Sequence, residues 1–338
     1  MVHRASIWMG VLFMLALTLA VTGPSTALTS PVTIGRVEKA RITVGIRQPN
    51  AGSQAPFFVG NDKGFFRDEG FESVQVVTTE QVREGVAGGS LDFGVAEVGS
   101  TVEAVLQGVP LRVIAGYRNR EPYYLAVRRE ILSVRDLEGK NVNLGGTPGD
   151  RNYVARAGLL KDAGWDLSTI KANVVVVPGG SDAHVRLFLE GRIHLTYFFA
   201  RHRPSIEAAG HRVLVFKMME WPNDLLLASE GFLTKNPNTA TRFLRGTLRA
   251  MQVWLTPSNK EYVIGLMERN GFTVTPANRQ MYEEGDLALY DKDMALLQDG
   301  LMKLLKASGF NDPPRFDRIS NLLYLRQAWR SLEIPERR

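Results

Sequence analysis

Apolar and polar positions along the chain fall into a repeating alternation of short β-branched runs and longer segments with helical spacing. The run Ile42 to Ile46 reads as a strand. In the segment that follows, Phe57, Phe58, Phe65 and Phe66 recur near helical spacing against Asn61, Asp62, Lys63, Arg67, Asp68 and Glu69. One face is therefore apolar and the other solvated. Gly64 and Gly70 supply the left-handed positions that end a helix and a turn, and Val74 to Val77 begins a new extended run. The same rhythm continues. Strands over Ser73 to Val77, Asp92 to Ala96 and Arg112 to Gly116 alternate with helices over Glu80 to Ala87 and Ser100 to Gln107. Such alternation predicts a mostly parallel sheet covered on both faces.

A second set follows Leu125. Strands are expected over Lys140 to Leu144, Ala172 to Val177, Ile193 to Phe199 and Val213 to Phe216, with helices over Asp150 to Ala163 and Asp182 to Glu190. After Gly231 the pattern turns almost wholly helical: Pro237 to Leu255, Asn259 to Asn270, Pro276 to Leu289, Lys292 to Lys306 and Ser320 to Ser331. Pro237, Pro257 and Pro276 stand at helix starts or between helices, as their fixed φ requires. Two α/β lobes are expected. Lobe one is discontinuous, 41–122 plus 231–338 with the helical tail; lobe two is 129–223; two crossings at 123–128 and 224–230 make a hinge.

Composition changes the picture at the amino end. His3 and Arg4 precede an apolar run from about Ile7 to Val21, and Ser25 and Ala27 offer small residues for cleavage, so 1–27 reads as an export signal cut near Ala27. The run is shorter than the ~20 apolar residues that span a bilayer comfortably. Cysteine is absent, which excludes a disulfide framework, a thiolate metal site, a cysteine nucleophile and a lipid-modified cysteine. A periplasmic protein without a lipid anchor is expected. Without Arg4 the chain has 40 basic and 35 acidic residues, down from 41 and 35, and the two kinds are interspersed. That argues against a nucleic-acid partner.

The ordered pieces "APFFVGNDKGFFRDEGF", "GGSLDFGV", "GVPLRVIAGY", "VRDLEGKNVNLG" and "LEGRIHLTYF", spread from Ile42 to Phe216, resemble one family. It is the periplasmic solute-binding proteins of ABC importers for nitrate, alkanesulfonates, taurine and thiamine-type pyrimidines, the NMT1/THI5-like and SsuA-like group. The resemblance implies a type II periplasmic binding protein fold: two α/β lobes with mostly parallel sheets, a two-strand hinge and a helical C-terminal segment. It also implies a clamp, acting as a monomer, that closes on a small solute and delivers it to an inner-membrane permease with its ATPase. Where family members commonly carry an acid after the "GRI" turn, this chain has His194.

Open α/β sheets bind ligands beyond the carboxyl ends of their strands, so candidate residues are taken from the loops there. On lobe one these are Gln48, Asn50, Pro56 and Phe57 at the first loop and the helix after it, Glu97 and Ser100 in "AEVGST", and Tyr117 and Arg118 after the fourth strand. On lobe two they are Thr147, Asp150 and Arg151 in "GGTPGDRN", Tyr197 in "TYFFARHR" and Trp221 in "MEWPND". Two readings of the solute stay open. Arg47, Arg118, Arg151 and Arg201 with helix starts suit an oxyanion such as a sulfonate. Glu97, Tyr117, Tyr197 and Trp221 suit a planar, amine-bearing ring.

An enzyme of the same fold is the rival class. Pyrimidine-precursor synthases of this fold depend on cysteine-rich motifs, which this chain lacks, and no Gly-x-Ser-x-Gly elbow appears. His184, His194, His202 and His211 follow no zinc spacing. No catalytic residue, metal or cofactor is assigned. A ligand-sensing regulator is the third class, but the amino end carries an export signal instead of a DNA-binding head.

Overall fold

A computed structural model describes residues 33–47, 51–178, 180–272, 279, 286–308, 310 and 312–337. The expected export segment lies outside them, as do Gln48 and Asn50. Among the described residues, ten strands form two five-stranded sheets. The first has the order β2-β1-β3-β10-β4, built from β1 (Arg41–Ile46), β2 (Ser73–Thr78), β3 (Phe93–Glu97), β4 (Leu111–Arg118) and β10 (Asp224–Ser229). The second has the order β7-β6-β8-β5-β9, built from β5 (Glu121–Val127), β6 (Asn141–Asn143), β7 (Asn173–Val174), β8 (Leu195–Phe198) and β9 (Arg212–Met219). In each sheet one strand runs against the rest, β10 in the first and β5 in the second. The parallel pairs β1–β2, β1–β3, β6–β7 and β6–β8 are those that helices connect.

Helices cover both sheets. In chain order they are α1 (Ala51–Asp62), α2 (Phe65–Asp68), α3 (Val82–Gly88), α4 (Val98–Leu106), α5 (Arg151–Asp162), α6 (Gly180–Leu189), α7 (Arg203–Ala208), α8 (Glu230–Lys235), α9 (Pro237–Trp254), α10 (Lys260–Arg269), α11 (Gln298–Ala307), α12 (Phe316–Ile319) and α13 (Leu323–Ser331). The longest, α9, packs its apolar stripe on α1, α2 and α13. Its Phe243 joins Phe57, Phe66, Phe93 and Tyr117 in one aromatic column, all at most 2 % exposed. No described helix is long and apolar enough to cross a membrane.

Two expectations need correction. The segments 123–128 and 224–230, read as hinge crossings, lie almost wholly within β5 and β10. The chain passes between sheets earlier, through residues 119–120 and back through 220–223. Where a helix was expected over Lys292 to Lys306, it begins only at Gln298. The residues before it leave the helical path, with Lys292 and Asp293 in a turn and Met294 at φ +55°, and they bond the end of β4 and the outgoing passage: Gly116 N–H donates to Met294 O (3.0 Å), and Asn119 Nδ2 donates to Ala295 O (2.6 Å) and Asp291 Oδ2 (3.1 Å). Asn119 N–H and Arg120 N–H both donate to Leu289 O. From the far end of the chain, Arg337 pairs with Asp291 (2.8 Å) and Asp293 (2.7 Å), holding that segment in place. Of the helix expected over Pro276 to Leu289, only Arg279 and a 3-10 turn, Asp286–Leu289, are among the described residues.

Candidate functional site

Strand direction locates the site. β1, β2, β3 and β4 end at Ile46, Thr78, Glu97 and Arg118, and the antiparallel β10 begins at Asp224, so these residues share one edge of the first sheet. In the second sheet β6, β8 and β9 end at Asn143, Phe198 and Met219 beside Glu121, the first residue of β5. The chain leaves one edge at Arg118 and enters the other at Glu121, three peptide units later. At ~3.6 Å per residue the two edges stay within about 11 Å of each other at that corner. The loops that carry the candidate residues lie along these two edges, which adjoin at that corner through Arg118, Glu121 and Arg156, and the space they border is the candidate cleft.

On the first-sheet edge, Glu97 caps α4. Its two carboxylate oxygens accept from Gly99 N–H, Ser100 N–H and Ser100 Oγ, each at 3.0 Å. Directly opposite in register stands Asp224. Burial pushes the Asp224 carboxyl up and the Glu97 charge adds to this, against the pull of Arg118. Arg118 lies between two carboxylates, with Nη2 2.8 Å from Glu121 and Nε 3.5 Å from Asp224. Phe57 and Tyr117 are fully buried and stack on each other at 5.9 Å, inside the core and not on the cleft. Pro56, a candidate from the first loop and the helix after it, is buried inside α1, five residues past its start at Ala51.

On the second-sheet edge, Thr147 donates from its N–H (2.6 Å) and Oγ1 (2.8 Å) to Asp150, which immediately precedes α5. These bonds hold the exposed Asp150 carboxyl below its usual range. Arg151 opens α5, and its side chain is outside the described ones. Arg201 donates to Ser181 Oγ (2.7 Å) and Asp182 (3.2 Å), while His202 Nε2 lies 2.7 Å from the same Asp182 oxygen. Trp221 meets Tyr123 edge-on at 5.4 Å and lines a cavity of about 710 Å³ between the end of β9 and the first turn of α11.

Three groups that the sequence reading did not single out for the site tie these pieces together. Glu121, 4 % exposed, accepts from Arg118 on one side and from Arg156 Nη2 (3.4 Å) on the other. Arg156, 2 % exposed, also donates to Leu144 O (2.7 Å), and its guanidinium lies over the Tyr197 ring. A signal for it existed: Tyr153, Arg156 and Leu160 share one helical stripe, and a base on an apolar stripe is a base that packs inward. His184 is the third. Thr196 Oγ1 donates to Tyr197 O, so its lone pair must accept from His184 Nδ1 (3.1 Å), which leaves Nε2 as the unprotonated nitrogen.

Burial, with help from the His202 and Arg156 charges, drives His184 down to about 3. The sign follows from its ordinary value of 6.5. The unfolded chain binds a proton there from pH 6.5 downward and the folded one does not, so this contribution is present above that range and is lost as pH falls toward 3. Wild-type stability from urea unfolding should fall by up to about 1.4 kcal/mol per pH unit across this window, more steeply than in His184→Gln. Parallel slopes would assign the acid sensitivity elsewhere.

Among the described residues no three carboxylate or imidazole groups converge as a metal site would require. The described arginines of the expected oxyanion cluster are each paired: Arg47 with Glu80 (2.9 Å), Arg118 with Glu121 and Asp224, Arg201 with Asp182.

Residues 52–259 match the family model described as NMT1/THI5 like. The chain is 23% identical over 260 residues to 4-amino-5-hydroxymethyl-2-methylpyrimidine phosphate synthase of Aspergillus parasiticus, covering 71% of this chain and 73% of that protein. It is likewise 23% identical over 222 residues to the riboflavin-binding protein RibY of Chloroflexus aurantiacus, covering 63% of this chain and 62% of that one. Among solved structures, the periplasmic sulfonate-binding protein SsuA from Methylobacillus flagellatus superposes with a TM-score of 0.63 at 17% identity, over 88% of this chain and 96% of that one. At that identity the likeness establishes the fold.

Proposed function

The chain belongs to the NMT1/THI5-like family, and from that premise we propose that it is the periplasmic solute-binding component of an ABC importer. It acts as a monomer that closes on a small organic solute and hands it to a permease and its ATPase. The observation that carries this reading is the pair of strand edges that adjoin at one corner and are joined by two short passages, 119–120 and 220–223. Motion about such passages brings the edges together, and a solute touching both favours the closed state.

Its solute is a planar heterocycle bearing N–H groups. Arginines already paired with carboxylates leave less charge to attract an oxyanion, whereas the acidic end of β10 and the ring of Trp221 suit a flat, hydrogen-bond-donating molecule. Binding without chemistry is supported by the engagement of its titratable groups with one another, Glu97 as a helix cap and His202 with Asp182.

A thermal-shift panel of 4-amino-5-hydroxymethyl-2-methylpyrimidine, riboflavin, taurine and nitrate tests the assignment, since a bound solute raises apparent stability by mass action. One of the two heterocycles is expected to raise the melting temperature, to be recovered unchanged by mass spectrometry, and to bind Trp221→Ala about tenfold more weakly. Stabilisation by taurine or nitrate alone would reverse the choice of solute, and a converted molecule would make the protein an enzyme.

A further inference from the structure

Tyr197 stands one residue before the end of β8, at the cleft edge of the second sheet. Both faces of its ring are covered. The Arg156 guanidinium carbon lies 4.0 Å from the ring centroid, and the His184 ring lies 4.1 Å away at 35°. These two groups come from opposite layers. Leu160 of α5 packs with Leu125 and Leu195 on one face of the sheet, and Val185 and Phe188 of α6 pack with Tyr124 and Phe198 on the other. The ring is therefore held between them.

What Arg156 and His184 leave uncovered is the edge. Gly145, at φ +79°, lies against it: a side-chain carbon there would fall 2.9 Å from Tyr197 Cε1 and 3.3 Å from Cζ, the atom that bears the hydroxyl. The hydroxyl end thus lies beside Gly145, and no described residue hydrogen-bonds it. We infer that Tyr197 meets the solute through its hydroxyl, donating to an acceptor atom such as a ring nitrogen or carbonyl oxygen, with Arg156 and His184 as positioning residues that hold the ring edge-on. The Arg156 cation on the ring face draws electron density from the phenol, making its O–H the better donor. Burial keeps that proton in place, pushing the phenol above its usual range.

This rests on the carrier reading above, and the two can fail separately. The probes are 4-amino-5-hydroxymethyl-2-methylpyrimidine and 2-amino-4-methylbenzyl alcohol, which keeps the substituents and lacks the ring nitrogens. Calorimetry on the full chain should show Tyr197→Phe binding the pyrimidine about tenfold more weakly, most of the loss seen in Tyr197→Ala. Affinity for the benzyl alcohol should be the same in wild type and Tyr197→Phe. In His184→Leu and Arg156→Met the preference for pyrimidine over benzyl alcohol should fall toward that of Tyr197→Phe, a ratio that simple destabilisation does not move. A Phe variant that binds like wild type while Ala loses tenfold means face stacking and overturns the inference alone. A wild type that binds neither probe overturns this inference, and the carrier reading falls with it only if riboflavin also fails to stabilise the protein.

Discussion

Replacing Glu121 with alanine is expected to remove about 3–5 kcal/mol of stability, the usual loss when one partner of a buried ion pair is taken away. The side chains of Glu121 and Arg156 are 6% and 3% exposed, and Arg156 Nε already lacks a hydrogen-bond partner among the described groups. Without the carboxylate, two guanidiniums would face each other across the corner where the chain changes sheets. The double variant Glu121→Ala/Arg156→Met should recover part of the loss, because the stranded charge goes with its partner. Urea unfolding of the three variants measures this. A single-variant loss below about 1 kcal/mol would mean that water reaches the pair.

Phe243→Ala should cost a comparable ~3–5 kcal/mol. Its ring lies 4.1 Å from Phe93, 5.6 Å from Phe66 and 6.0 Å from Phe57, so truncation opens a void in the middle of the aromatic column. Phe243→Leu, which keeps most of the volume, should lose less than about 1.5 kcal/mol. Equal losses would indicate that ring stacking rather than volume holds α9 to the sheet.

That column shows how far the sequence could be read. The "PFFVGNDKGFF" stretch carries a visible apolar stripe, and its helix forms; which ring faces the core and which the cleft depends on α9, nearly two hundred residues away. The alternation of strand and helix made the two parallel cores legible, because helical and extended periods are local properties. β5 escaped for a physical reason: every residue of "EPYYLAV" is buried, so the strand shows no in-out alternation. β10 is likewise buried along its middle. Both strands run against their neighbours, a relation fixed only by pairing partners distant in sequence.

In the site, loop positions were legible and side-chain engagements were not. Glu97, Thr147 and Asp150 lie in the expected loops, but their oxygens serve local turns and caps. The arginines were visible as charges, whereas their pairing with Glu121, Asp224 and Asp182 required the fold. Tyr197 was placed at the cleft by strand alternation; that its faces are covered follows from α5 and α6 together.

Arg337 grips Asp291 and Asp293, and through Asp291 and its neighbours the segment that holds Asn119 and Arg120. Arg337 is thereby a structural neighbour of the passage about which the proposed clamp would swing. In that clamp, removing Arg337, or fusing a bulky reporter beside it, would act on how readily the jaws move rather than on how they grasp. A purification handle placed beside Arg337 would then report a looser joint as though it were weaker affinity.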